Sequence, residues 1–287
     1  MKILVTGATG FIGRYVVNEL LQNTSCNIVI ATRSQNPELA WMATGRLVCL
    51  QFDFENLADS VDYFDYFQRP EICIHLAWPG LPNYKAPFHL VENLPQQYHF
   101  LKNLVVNGLK RLTVTGTCFE YGMQEGCLSE NLPAHPDNAY AQAKYQLYLL
   151  LTALQQEYPF QLNWLRLFYM YGRGQNAKSL FSQLEAALER GDADFNMSGG
   201  EQERDFLPVE TVAKNIVQTA LADREAGLVN CCSGQPVKVK DWVAAYLEQH
   251  NAFIKLNLGF YPYADYEPMS FWGDKKKLDT ILNKRNI

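Results

Sequence analysis

Net charge and long apolar runs are both scarce in this 287-residue chain. A formal net charge of −5 leaves no basic stripe of the kind that holds nucleic acid or an acidic membrane surface, so neither is expected as a partner. No stretch approaches the roughly 18 uninterrupted apolar residues of a membrane span. The chain runs straight into an apolar segment at Lys2 with no leader-like stretch before it, and the expected location is cytoplasmic. Metal-ligand spacing is also missing: His75, His89, His99, His135 and His250 have no paired partners, so no metal is expected. The seven cysteines are an odd number. Cys73 lies inside a strand-like run and Cys231-Cys232 end another, which suits small core residues in a reducing compartment better than a disulfide framework. There is no internal repeat and no low-complexity segment.

What the chain does have is alternation. Apolar, β-branched runs at 2–6, 27–32, 47–51, 72–76, 110–116 and 161–167 alternate with helical patterns near 11–23, 58–68, 88–107 and 137–158. That order predicts an α/β fold, a doubly wound parallel sheet whose strand C-termini share one ligand-binding edge. After residue 172 the rhythm changes: helices at 178–190, 209–222 and 239–250 surround a strand at 227–231, and an aromatic-rich, then basic tail follows. The expected division is a nucleotide-binding domain at 1–172 and a smaller substrate lobe at 173–287, interleaved with the sheet edge.

Gly7, Gly10 and Gly13 stand between the first strand and the first helix. Strand, glycine turn and helix form the geometry in which backbone N–H groups receive a phosphate, and a Cβ at these positions would hold the backbone away. Phe11 and Ile12 complete that helix start. Arg33 ends the second strand, with Ser34 beside it, where an NAD site would carry an acid for the ribose 2′-hydroxyl. A guanidinium there suits a 2′-phosphate, which points to NADP(H), although a plain surface arginine fits the same position. Asp53 follows the third strand, placed either to accept from an adenine amino group or to form a turn, with Phe54 next to it. Leu76, Ala77 and Trp78 follow the fourth strand, where a small Ala77 lets the backbone approach a dinucleotide. His75 reads as a hydrogen-bonded core histidine.

Tyr140-Ala-Gln-Ala-Lys144 lies early in a long helix, and a separation of four puts phenol and ammonium on one face. A free tyrosine titrates near pH 10; an adjacent ammonium favours the phenolate and is expected to bring that value toward the working range. Thr117 ends the fifth strand, where its hydroxyl could bond a substrate oxygen or simply serve β propensity.

The chain resembles an extended short-chain dehydrogenase/reductase of the NAD(P)-dependent sugar-nucleotide epimerase/dehydratase family, with a Rossmann fold. The resemblance rests on Thr6-Gly-Ala-Thr-Gly-Phe-Ile-Gly13, Asp53, His75-Leu-Ala77, Thr117 with Tyr121-Gly122, Tyr140 with Lys144, Leu165-Arg-Leu-Phe168 with Tyr171-Gly172, and Arg204-Asp-Phe-Leu-Pro-Val209. It implies that Tyr140 is the acid/base, that Lys144 holds the nicotinamide ribose and tunes Tyr140, and that Thr117 orients the substrate. It further implies that Asn93 supports this arrangement, that Arg204 binds the substrate's pyrophosphate, and that two copies associate through helices 88–107 and 137–158.

Departures from the family pattern narrow the reaction. Cys118 and Phe119 stand where 4,6-dehydratases carry an acidic pair, and Glu120 is one place further on and should point elsewhere. Tyr169 replaces the family's frequent asparagine and becomes the candidate sugar contact. Segments 166–172, 195–202 and 204–208 most resemble bacterial NDP-4-keto-6-deoxyhexose reductases of the dTDP-6-deoxy-talose and dTDP-fucose type. The expected activity is NADPH-dependent reduction of a nucleotide-linked 4-keto sugar in deoxysugar biosynthesis for surface polysaccharide. A 4-epimerase and a non-catalytic NADP-binding regulator are the alternatives.

Overall fold

Alternating side chains on seven parallel strands build the centre of the molecule, seen in a computed structural model that describes residues 1–33 and 44–283. The first five strands are β1 (Lys2–Thr6), β2 (Asn27–Thr32), β3 (Leu47–Gln51), β4 (Ile72–His75) and β5 (Arg111–Thr117). After the short β6 (Gly126–Leu128) come β7 (Gln161–Leu167), β8 (Tyr169–Tyr171), β9 (Asp194–Asn196), β10 (Glu203–Pro208) and β11 (Gly227–Cys231). The large sheet runs β11-β7-β5-β4-β1-β2-β3. Its order reverses between β1 and β4, and the crevice at their C-terminal ends is where such sheets bind ligands.

Successive strand residues point to opposite faces. Ile3 and Val5 join Ile28, Ile30 and Leu165 on one face, against helices α1 (Phe11–Asn23) and α6 (Val209–Ala220). Leu4 joins Val29, Cys73, Leu112 and Trp164 on the other face, against α3 (Leu94–Val106) and α4 (Ala139–Glu157). Residues 209–231 therefore return to the main sheet. The rest of the C-terminal part contributes α5 (Leu180–Arg190), β12 (Pro236–Lys238), α7 (Val239–Gln249), β13 (Lys255–Asn257), β14 (Phe271–Gly273) and α8 (Lys276–Asn283). Its own core holds Leu184, Phe195, Met197, Val243 and Ile254, beside a small sheet ordered β12-β10-β8.

Two expected helices differ. The stretch 58–68 contains only the four-residue α2 (Tyr63–Tyr66), capped at Asp62 and stopped by positive φ at Gln68 and Arg69. The stretch 88–107 opens as a π-turn at His89–Asn93 before α3, with Pro95 lacking the N–H that a regular ladder would use. No helix among the described residues is long and apolar enough to cross a membrane.

Candidate active site

The glycine turn is a cradle that admits no side chain. Gly7 has φ +69°, and a Cβ there would lie 2.8 Å from the Ala77 nitrogen; one at Gly13 would lie 2.1 Å from the Gly7 carbonyl oxygen. Backbone approach between the β1 turn and the Leu76-Ala77 segment is thus possible only without a Cβ. Gly10 caps α1 with no side-chain bond and no acid follows in the first turn, so the helix start at Phe11 and Ile12 presents backbone donors to an anion. This cradle fits the dinucleotide pyrophosphate that the sequence implies. Arg33 is exposed at the end of β2. Ser34 lies outside the described residues. Arg14 donates to the Thr9 carbonyl at 3.1 Å and so braces the turn. Asp53 caps a 3₁₀ turn through the Glu55 N–H at 3.1 Å, and Phe54 packs edge-on to His75.

β5 and α4 bring Thr117, Tyr140 and Lys144 together. Thr117 is the last residue of β5, and its hydroxyl acts to lower the Tyr140 pKa. Asn138 caps α4 by accepting from the Ala141 N–H at 3.0 Å, which sets the turn that carries Tyr140. The Lys144 ammonium donates to the Thr115 carbonyl at 2.7 Å and lies 4.2 Å from the centre of the Trp78 ring. Burial pushes Lys144 down to about 7, and the Glu120 charge works in the opposite direction. The expected lowering of Tyr140 is not what the protein's own groups produce. Burial raises its pKa, Tyr84, Glu120 and Cys118 add to that, and the Thr117 hydroxyl works the other way. Desolvating a phenolate outweighs the help available, so Tyr140 holds its proton.

Behind Lys144, Trp78 Nε1 donates to His89 Nδ1 at 3.0 Å, which leaves the His89 proton on Nε2, 3.1 Å from the Asn83 carbonyl. Asn93 Nδ2 reaches the same Nδ1 at 3.2 Å and the Pro79 carbonyl at 3.0 Å. Asn93 therefore ties down the 79–84 loop. That loop carries Tyr84, whose carbonyl accepts from the Tyr140 N–H at 2.9 Å and whose ring lies 5.7 Å from the Tyr140 ring. Neither His89 nor Tyr84 was singled out by sequence, because their roles come from a loop folded back on α4.

A cavity of about 910 Å³ opens beside this group, lined by Tyr84, Tyr169, Lys178, Arg204, Trp242 and Glu267 among others. Tyr169 lines it and donates its hydroxyl to Glu267. Arg204 is 2% exposed; it pairs with Glu267 at 3.2 Å and donates to the Glu203 and Met269 carbonyls. Its charge is thus already met within the protein, by a carboxylate that burial pushes up to about 7. The signal for Glu267 in the sequence was slight: an acid within the aromatic-rich tail. Glu120 turns away into the protein, where Arg166 Nε donates to it at 2.7 Å.

Residues 3–232 match the NAD dependent epimerase/dehydratase family. The dTDP-6-deoxy-L-talose 4-dehydrogenase (NAD(+)) of Aggregatibacter actinomycetemcomitans is 32% identical over 96% of this chain and 100% of its own length. The GDP-6-deoxy-D-talose 4-dehydrogenase of the same organism is 25% identical, over 98% and 91%. The solved structure of MoeE5 in complex with UDP-glucuronic acid and NAD superposes with a TM-score of 0.82 at 27% identity, covering 99% of this chain and 93% of MoeE5. With its 3-2-1-4-5 strand core, its glycine cradle and its Thr117, Tyr140 and Lys144 cluster, this chain belongs to the NAD dependent epimerase/dehydratase family.

Proposed function

We propose that the chain reduces the C4 ketone of a nucleotide-linked 4-keto-6-deoxyhexose, with NADPH as the donor. The observation that carries this reading is a buried phenol, Tyr140, one helical turn before the lysine that binds the Thr115 carbonyl near the end of β5. Reduction needs an acid, and Tyr140 is one. The bound dinucleotide would supply the hydride. Tyr140 gives its proton to O4 as C4 receives that hydride, so ketone becomes secondary alcohol, and Thr117 holds the same oxygen in line. The Lys144 ammonium stabilises the phenolate left behind, and the cradle at 7–13 would hold the pyrophosphate. The talose 4-dehydrogenase relative supports the reading, since its name states oxidation at C4 of a 6-deoxyhexose and reduction is the reverse.

Arg33 supports NADPH, and the relative's name carries NAD(+); the two donors are to be compared directly. In a panel of dTDP-, GDP-, CDP- and UDP-linked 4-keto sugars, one should be reduced with stoichiometric loss of nicotinamide absorbance. Epimer formation with no net loss would sink the reductase in favour of a 4-epimerase. Tyr140→Phe should lower turnover by about 10²–10⁴-fold with dinucleotide binding, read by fluorescence, nearly unchanged. Exposed Val106, Leu149 and Leu150 on α3 and α4 support a homodimer through those helices, to be checked by light scattering. A cytoplasmic role in deoxysugar supply for surface polysaccharide completes the proposal.

A further inference from the structure

Glu120 takes no part in the hydride and proton steps, yet its carboxylate is fully buried beside them and carries bonds from three residues. The Thr117 N–H donates to Oε1 at 2.9 Å, Trp164 Nε1 donates at 3.1 Å, and Arg166 Nε donates at 2.7 Å. Thr117 and Glu120 form a capping box, and the Thr117 hydroxyl also accepts from the Phe119 N–H in the same turn. Releasing Glu120 therefore releases the backbone that aims the Thr117 hydroxyl. Gly116 is hollowed to make room: a Cβ there would lie 2.4 Å from Glu120 Oε1 and 2.2 Å from Trp164 Nε1.

The charge matters as well as the bonds. Lys144 also acts on His75 and His89, and burial lowers both imidazoles from their usual range. Around the carboxylate, burial likewise keeps Cys118, Tyr121 and Tyr140 protonated, and Arg166 is the cation. Glu120 acts on Lys144 against the burial that lowers its pKa. It favours the protonated form of Lys144 and of Tyr140 alike.

Resting on the reductase reading, we propose that Glu120 is a positioning residue for the reaction: it fixes the strand end that aims Thr117 and places its charge against the strand whose Thr115 carbonyl binds Lys144. Removing one partner of a buried pair strands the other, whereas replacing both is often tolerated. The test is therefore E120Q/R166M, with E120D as a second variant. In E120Q/R166M the alkaline limb of the kcat/KM profile should move to lower pH. The Lys144 titration, followed by ¹⁵N NMR of labelled lysines, should move the same way. E120D keeps the charge but not the reach, so kcat should fall about 10²-fold with the limb in place. An unshifted Lys144 titration in a folded E120Q/R166M overturns the proposal. If that double variant does not fold, E120D decides, and wild-type kcat there overturns it. Should the wild type reduce no keto sugar, the reductase reading falls while the lysine titration still decides the role of Glu120.

Discussion

Two buried ion pairs stand near the β5 terminus: Glu120–Arg166 and Glu267–Arg204. In the first, both side chains stand on or beside the main sheet, are 0% and 1% exposed, and lie away from the cavity. In the second, the acid stands on the irregular segment between β13 and β14, is 11% exposed, and lines the cavity with its arginine. The first carboxylate is met by an arginine, an indole and a main-chain N–H. The second is met by the arginine and the Tyr169 hydroxyl, and burial pushes it up to about 7. The same pair of charges is thus built once as a closed brace within the scaffold and once as part of the cavity wall.

The contrast breaks most sharply at the brace. Glu120→Ala leaves the Arg166 guanidinium buried and unpaired, and should cost about 3–5 kcal/mol in a urea titration. A loss below 1 kcal/mol would mean that the brace is no more structural than the wall. Glu267→Ala should cost less, about 1–2 kcal/mol, because Arg204 keeps two carbonyl partners. Its main effect should fall on binding, with KM for the sugar nucleotide rising about tenfold, equivalent to about 1.4 kcal/mol. Unchanged KM would remove Glu267 from the substrate wall.

His75 sharpens the comparison from the other side, as a buried ionisable group with no carboxylate partner among the described residues. It is 0% exposed, bonded to the Thr6 hydroxyl at 2.8 Å, and burial pushes it down to about 3. The unfolded chain takes up this proton below about pH 6.5 and the folded chain does not until near pH 3. The His75 contribution is therefore full above pH 6.5 and is lost as pH falls, by about 2 kcal/mol at pH 5. Urea titrations at pH 7 and 5 should show this difference, and His75→Gln should remove that share of it.

How much could be read in advance followed from how local each feature is. The six strands at 2–6, 27–32, 47–51, 72–75, 111–117 and 161–167 lie within a residue or two of their expected places, because each is an apolar run closed by turn residues. Three-residue strands such as Gly126–Leu128, Asp194–Asn196 and Phe271–Gly273 carry too little pattern to be seen; their partners, far along the chain, create them. Thr117, Tyr140 and Lys144 were legible because a strand end and one helical turn suffice to place them. Glu120 and Glu267 were not, since a charge becomes a brace or a wall only through residues distant in sequence.

By itself, then, the sequence determined the parallel sheet, the glycine cradle and the spacing of phenol and ammonium, all of which depend on neighbours a few positions apart. The tertiary structure decided what those groups are. It buried Tyr140 so that it keeps its proton, drew Lys144 down to about 7, and met the Arg204 charge with Glu267. Desolvation and long-range pairing set the charge of a site, and both exist only once the chain has folded around it.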